Sequence, residues 1–366
     1  MKNIQIAVPE FSKKYTVSIG EGVLQDIINQ FDFDSYSSIF IITDSNVEPL
    51  YLSKLESALS EALPYEKIHH FGFPAGEQNK NLETVAKAYN SLVEVKADRR
   101  TLLINLGGGV VSDLGGYVAS TYLRGIPYIT IPTTLESMVD ASVGGKTGVN
   151  LGSLKNYVGV FTSPQAVIID VDTLKTLPER ALVQGFAEVI KHGLIQNATY
   201  FEKVIQKKLK KYSSSELIDI ISGSVEIKKA IVQEDPHEKG VRKILNFGHT
   251  VGHVLESLSM DTNNPLFHGE AIAIGMVAEA YISYKEGLLE NDEFKKIEIA
   301  IRNADLPVRY KTEKSVDELY SLLYTDKKTE KGSVKWTLLS GIGASEFNVV
   351  VNEKFAKEGI AYILSK

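Results

Sequence analysis

Short aliphatic, β-branched runs that each end on Asp, Gly or Pro, separated by segments of helical periodicity, set the narrowest limit on how this chain can fold. Residues 38–43 (SIFIIT) run into Asp44, residues 101–106 (TLLINL) into Gly107-Gly108-Gly109, residues 128–131 into Pro132-Thr133-Thr134, and residues 166–169 into Asp170. Between them, segments such as 82–95 carry apolar residues at helical spacing. Short strands of buried type alternating with helices predict a parallel sheet in an α/β domain.

The pattern changes after about residue 175. Residues 181–195, 216–232, 244–258, 270–284 and 293–303 read as helices, with strand-like pieces returning at 334–339 and 347–351. A boundary near 172–178 divides the chain into an α/β domain over 1–174 and a mainly helical domain over 175–366. There is no internal repeat and no low-complexity tract.

Composition removes several function classes. Lys plus Arg is 40 against 46 Asp plus Glu, a net charge of −6, so neither nucleic acid nor an anionic membrane is an expected partner. An anionic substrate would need a local basic pocket. There is no cysteine, which excludes disulfides, thiolate metal ligands and cysteine nucleophiles. Residues 1–10 lack a basic segment followed by an apolar core, and no apolar run approaches the roughly 20 residues that span a bilayer, so a cytoplasmic protein is expected.

Gly107-Gly108-Gly109-Val110-Val111-Ser112-Asp113 follows a strand and opens a helix. Glycines there let a pyrophosphate approach the backbone, and the helix start offers free N–H groups. Gly107 and Gly109 fit the dinucleotide pattern but Ser112 takes its third position, so the motif alone equally fits a ligand-free turn. Asp44, at a strand end, could accept a ribose hydroxyl or cap a turn. Gly144-Gly145-Lys146-Thr147 hints at a P-loop, but position 140 is Asp where that loop needs Gly, so a nucleotide triphosphatase is rejected.

His249 and His253 stand four apart in a helical segment, on one face and suited to a divalent metal. Thr250 follows the first His where a zinc protease has Glu, which removes the peptidase reading. A lone His pair is more often two ordinary helix histidines. His268 and, as an oxygen ligand, Glu188 move the balance towards metal. Arg124, Lys146, Lys155, Lys191, Lys228 and Arg242 lie in apolar or glycine-rich surroundings, and cations of that kind, if they converge, bind phosphate and carboxylate.

Four stretches together resemble the 3-dehydroquinate synthase family: 132–150 (PTTLESMVDASVGGKTGVN), 185–193 (GFAEVIKHG), 242–256 (RKILNFGHTVGHVLE) and 268–276 (HGEAIAIGM), in the family's order. The resemblance runs from Asp44 to Gly343. It implies a Rossmann-like parallel-sheet domain and a mainly α-helical C-terminal domain, with the active site in the cleft between them. It implies that Asp44, Asn46, Glu77 and Lys80 contact the adenosine half of NAD. Gly108, Gly109, Val110 and Asp113 would hold its pyrophosphate, with Thr133, Thr134, Lys146, Lys155, Thr176 and Leu177 also along the cofactor. Glu188, His249 and His268 would bind zinc, or cobalt. Asp140, Lys146, Asn156, Lys191, Lys228, Glu238, Arg242, Asn246 and His253 would surround a small sugar-acid phosphate, and Lys327 or Lys328 would close over it. On this reading His253 carries protons and is not a metal ligand, against what its spacing suggests. Arg124 would reach the substrate phosphate of a neighbouring subunit, which implies a homodimer.

The implied activity is that of a carbon–oxygen lyase in the shikimate pathway. It takes 3-deoxy-D-arabino-heptulosonate 7-phosphate to 3-dehydroquinate through oxidation, phosphate elimination, re-reduction and aldol closure. Ser112, Glu136, Ala181, His192 and Pro236 depart from the family's usual residues, mostly near the cofactor. The alternatives are another sugar-phosphate cyclase of inosose or valiolone type, a metal-dependent polyol dehydrogenase, and a non-catalytic nucleotide-binding relative.

Overall fold

The structure is a computed structural model and describes residues 1–8, 13–152, 154–260, 262–325, 329–330 and 333–365. The chain forms two compact units, Met1–Leu177 with Ser214–Pro236, and Pro178–Ser213 with His237–Lys366. A single cut after residue 174 therefore differs from the compact units at the boundary, which falls after Leu177, and in one excursion, Ser214–Pro236. The helix Ser214–Glu234 packs on the N-terminal strands of the first unit.

The first unit is built on β1 (Lys2–Val8), β2 (Lys13–Gly20), β3 (Ile39–Asp44), β4 (Ile68–Phe73), β5 (Leu102–Gly107), β6 (Tyr128–Pro132), β7 (Lys146–Leu151), β8 (Leu154–Phe161) and β9 (Ala166–Asp170). Seven of these form one sheet in the order β1-β2-β9-β6-β5-β3-β4, parallel throughout except for the β1–β2 pair. The expected parallel strands are the centre of this sheet. Their uniform apolarity follows from burial on both faces. Along β3, Ile39 and Ile41 join one apolar cluster with Ile104, Leu106 and Ile168, while Phe40 and Ile42 join another with Leu103, Leu114 and Val118.

Strand order places the ligand-competent edge. From β3 the chain crosses outward to β4, then returns to the other side of β3 as β5. The sheet's winding therefore reverses between β3 and β5, and ligands of open α/β sheets bind beyond the carboxyl ends of strands at such a point. Asp44 ends β3 and Gly107 ends β5, with Thr43 opposite Leu106 in register. Lys146, in a glycine-rich stretch of the sequence, opens β7, which pairs antiparallel with β8.

The second unit is helical, with a β-hairpin of Trp336–Gly341 and Ala344–Val349. Its site-bearing helices are Glu179–Gln196, His249–Ser259 and His268–Lys285. The helix expected over 244–258 is split: Val241–Asn246 is a tight 3₁₀ segment and the α-helix starts at His249. Gly248 causes the break, with φ +82°, a conformation that strains any side-chain-bearing residue. The same glycine lies under the neighbouring helix, where a Cβ on Gly275 would sit 1.9 Å from the Gly248 carbonyl oxygen. That close approach sets the His249 and His268 helices side by side.

Candidate active site

In the first unit the helix Gly109–Thr121 starts directly from β5, with Gly108 at its N-cap, a residue that has no side chain to cap the first N–H groups. Helix starts leave N–H groups without intrahelical partners and attract anions. Next to this turn the Thr133 N–H donates to the Gly107 carbonyl at 2.9 Å, while the buried Thr133 hydroxyl has no partner among the described residues. Ser112 is buried without strain. Its hydroxyl donates to the Gly108 carbonyl at 3.1 Å and pairs with the Ser137 hydroxyl at 3.0 Å, so the departure from glycine is satisfied internally.

Asp44 does act as a turn residue. Its Oδ1 accepts the N–H groups of Asn46 at 2.9 Å and Val47 at 3.2 Å. Burial raises its pKa, and those two hydrogen bonds work against the rise. Asn46 itself is exposed.

Glu77, Lys80 and Asp113 come together. The Lys80 ammonium lies 3.0 Å from Glu77 Oε1 and 3.2 Å from Asp113 Oδ2. Burial acts to lower the Lys80 pKa, but the Asp113 and Glu77 carboxylates outweigh it and hold the amine charged well above its ordinary range. Asp113 moves the other way, up to about 6, because burial exceeds the help from Lys80. The Asp113 side chain keeps 17% exposure, which moderates that effect.

Elsewhere in this unit the buried Lys228 donates to Asp140 twice, to Oδ1 and to the carbonyl, both at 2.6 Å. Lys146 opens β7, exposed, and Lys155 and Asn156 lie in β8. Thr176 and Leu177 close the 3₁₀ segment after β9. Arg124 is exposed on a left-handed turn, at φ +68°.

In the second unit, Glu188, His249 and His268 each present a ligand atom within 4.8 Å of the others. Glu188 Oε1 stands 4.0 Å from His249 Nε2 and 3.7 Å from His268 Nε2. His249 Nδ1 lies 3.2 Å from the Phe247 carbonyl. A carbonyl only accepts, so Nδ1 carries the proton and Nε2 keeps its lone pair for a metal. His268 Nδ1 lies 3.4 Å from Glu256 Oε2, which orients the second ring the same way. His253, Glu256 and His268 also group within ligand reach, but His268 would serve both groups with opposite nitrogens. Glu256 is thus better placed as the carboxylate behind a metal-bound His268 than as a ligand. The His253 ring centroid is 5.1 Å from His249 and 6.0 Å from His268.

Lys191 pairs with Glu188 one helical turn away, both fully buried. Asn246 Nδ2 donates to Glu238 Oε1 at 2.8 Å, and Glu238 holds φ +58°. Arg242 is 1% exposed, among the largest fully buried side chains of the described residues. Lys327 and Lys328 lie outside the described residues.

Sequence reasoning missed three residues of this constellation. Glu256 was legible, being seven residues after His249 and three after His253 on one helix face. Glu279 was legible as a lone carboxylate in the apolar run 271–282. It is fully buried, and its carboxylate accepts the N–H groups of Gly248 and Val251. Asn150, at the end of β7, had no signal in the sequence.

Comparisons with known proteins agree with this geometry. Residues 70–184 match the family described as 3-dehydroquinate synthase N-terminal, and residues 185–329 match 3-dehydroquinate synthase C-terminal. A 3-dehydroquinate synthase of Prochlorococcus marinus (strain AS9601) is 40% identical over 351 residues, 94% of this chain and 95% of its own. The crystal structure of a 2-deoxy-scyllo-inosose synthase complexed with carbaglucose-6-phosphate, NAD+ and Co2+ superposes with a TM-score of 0.88 at 27% identity, covering 99% of this chain and 100% of the other. A 2-epi-5-epi-valiolone synthase from Streptomyces hygroscopicus subsp. jinggangensis 5008, with NAD+ and Zn2+ bound, gives 0.82 at 27% identity, covering 95% and 96%. On the two family matches and the full-length identity, the chain belongs to the 3-dehydroquinate synthase family.

Proposed function

We infer that the chain converts 3-deoxy-D-arabino-heptulosonate 7-phosphate into 3-dehydroquinate and inorganic phosphate. The observation that carries the reading is a set of buried cations: Lys191, Lys228 and Arg242 keep 1%, 5% and 1% exposure. Buried cations persist only where anions compensate them. Glu188 pairs with Lys191 and Asp140 with Lys228. Cations of this kind suit a substrate with both a phosphate and a carboxylate better than a neutral polyol, which weakens the dehydrogenase alternative. The other cyclases share the fold at lower identity, and Arg242 with Asn246 favours the carboxylate-bearing substrate over theirs.

Both cofactors fit the residues present. The uncapped helix start at Gly108, the orphaned Thr133 hydroxyl and the strand-end Asp44 suit a dinucleotide. Gly108, Gly109, Val110 and Asp113 would hold its pyrophosphate, Asp44, Asn46, Glu77 and Lys80 its adenosine half, and Thr133, Thr134, Lys146, Lys155, Thr176 and Leu177 would line it. Glu188, His249 and His268 form a set of oxygen and imidazole donors for zinc or cobalt. When bound, NAD supplies reversible hydride transfer and the metal a Lewis acid.

The chain's own residues bind and orient. Lys146, Asn156, Arg242 and a partner subunit's copy of Arg124 would grip the phosphate. Asp140, Lys191, Lys228, Glu238 and Asn246 would fix the hydroxyls and carboxylate. His253, beside the metal imidazoles, would move a proton at its ring nitrogen. The protein would act as a cytoplasmic homodimer on a small molecule, not on nucleic acid or a membrane. Arg124 is exposed on a left-handed turn beside the exposed Leu123, accessible to a second copy of the chain. No described helix is long and apolar enough to cross a membrane. Incubating the zinc- and NAD-loaded protein with the heptulosonate phosphate and identifying the product by NMR tests the reading. A carbocyclic dehydroquinate supports it, and unchanged substrate overturns it.

A further inference from the structure

We propose that Asn150 is a positioning residue that couples the cofactor side of the first unit to its phosphate side, so that NAD and phosphate strengthen each other's binding. The proposal rests on the assignment of Glu77 and Lys80 to NAD and of Asn156 to the phosphate.

The geometry lies in one side chain. Asn150 is 9% exposed at the end of β7, and its N–H donates to the Lys80 carbonyl at 2.8 Å. Its Nδ2 donates to Glu77 Oε1 at 2.8 Å and to the Glu77 carbonyl at 3.3 Å. Its Oδ1 accepts the Asn156 N–H at 2.9 Å. The same Glu77 oxygen holds the Lys80 ammonium. Asn150 thus fixes the carboxylate that fixes Lys80, and from its other end fixes the backbone of Asn156. Asn156 has φ +50°, a left-handed conformation that Asn tolerates better than most residues and that the bond from Asn150 helps hold.

The amide is the group this position needs. It donates on one side and accepts on the other, whereas a carboxylate has no hydrogen to give Glu77 and adds a like charge. Restraining either end of a hydrogen-bonded chain restrains the other, so a ligand on Asn156 lowers the cost of ordering Glu77 and Lys80, and the reverse holds equally.

The zinc-loaded protein is titrated with NAD by calorimetry, with and without saturating inorganic phosphate. In wild type, phosphate should tighten NAD binding about fivefold, a typical coupling. In Asn150→Ser and Asn150→Asp that ratio should fall to one. A purely structural weakening would lower NAD affinity in both conditions and preserve the ratio. Asn150→Ser decides the matter if the Asp variant fails to fold. A ratio retained in a folded variant overturns the proposal, as does a wild type that binds NAD with no response to phosphate. A wild type that binds no NAD at all overturns the cofactor assignment beneath it.

Discussion

Glu279 Oε2 accepts the Gly248 N–H at 2.7 Å, from a carboxylate with no exposed surface. Its Oε1 takes the Val251 N–H at 3.1 Å. One buried carboxyl group thereby caps the helix whose first residue is His249, and the left-handed Gly248 can end the preceding segment without orphaning its amide. Glu279→Ala leaves two buried donors unpaired and should cost about 2–4 kcal/mol of stability. Glu279→Gln keeps one good acceptor and should cost less. Urea denaturation of the two variants checks the order, and equal stabilities would contradict the capping role.

Glu256 should control metal affinity without touching the metal. Glu256→Gln removes the negative charge behind His268 while preserving shape. Metal binding, measured by chelator competition, should weaken by roughly 10–100-fold with the fold intact. An unchanged affinity would mean that the 3.4 Å contact with His268 is incidental.

Asp113 should leave a mark on stability against pH. Its pKa in the fold is about 6 against an ordinary 3.8, raised by burial more than Lys80 lowers it. A carboxyl with a raised folded pKa favours the fold while protonated. That contribution is complete below the unfolded value and disappears as pH rises through the folded one. Relative to Asp113→Asn, wild type should therefore lose on the order of 1–3 kcal/mol between about pH 4 and 7, and no more above. Parallel denaturation series measure the difference, and a flat difference would contradict the shift.

Arg242 is 1% exposed, and the proposed chemistry uses its charge. Arg242→Ala should cost several kcal/mol of transition-state stabilisation, on the order of 2–4, with Arg242→Lys recovering part of it. Turnover near wild type in the alanine variant would remove Arg242 from the site.

Much of this was legible in the sequence. Uniformly apolar runs ending in Asp44 and Gly107 located the parallel sheet, because burial on both faces leaves no alternation to confuse. Other features depended on three-dimensional context. The break at Gly248 falls within a helical apolar pattern, and the Glu279 carboxylate that satisfies the Gly248 amide comes from the neighbouring helix, far along the chain. The β7–β8 hairpin hid behind glycines that read as loop. The excursion of Ser214–Glu234 into the first unit leaves no trace in its own periodicity, since the partner surface, not the helix, decides where it packs. Asn150 is silent for the same reason. An isolated Asn acquires meaning only when Glu77 and Asn156 flank it.

The most direct measurement follows phosphate release from the heptulosonate phosphate with zinc and a small amount of NAD, recording NADH absorbance in parallel. The account predicts phosphate far in excess of the NAD present, no accumulation of NADH, and loss of release on chelation. Phosphate release absent, or NADH appearing one-for-one with product from a simple polyol, would contradict it.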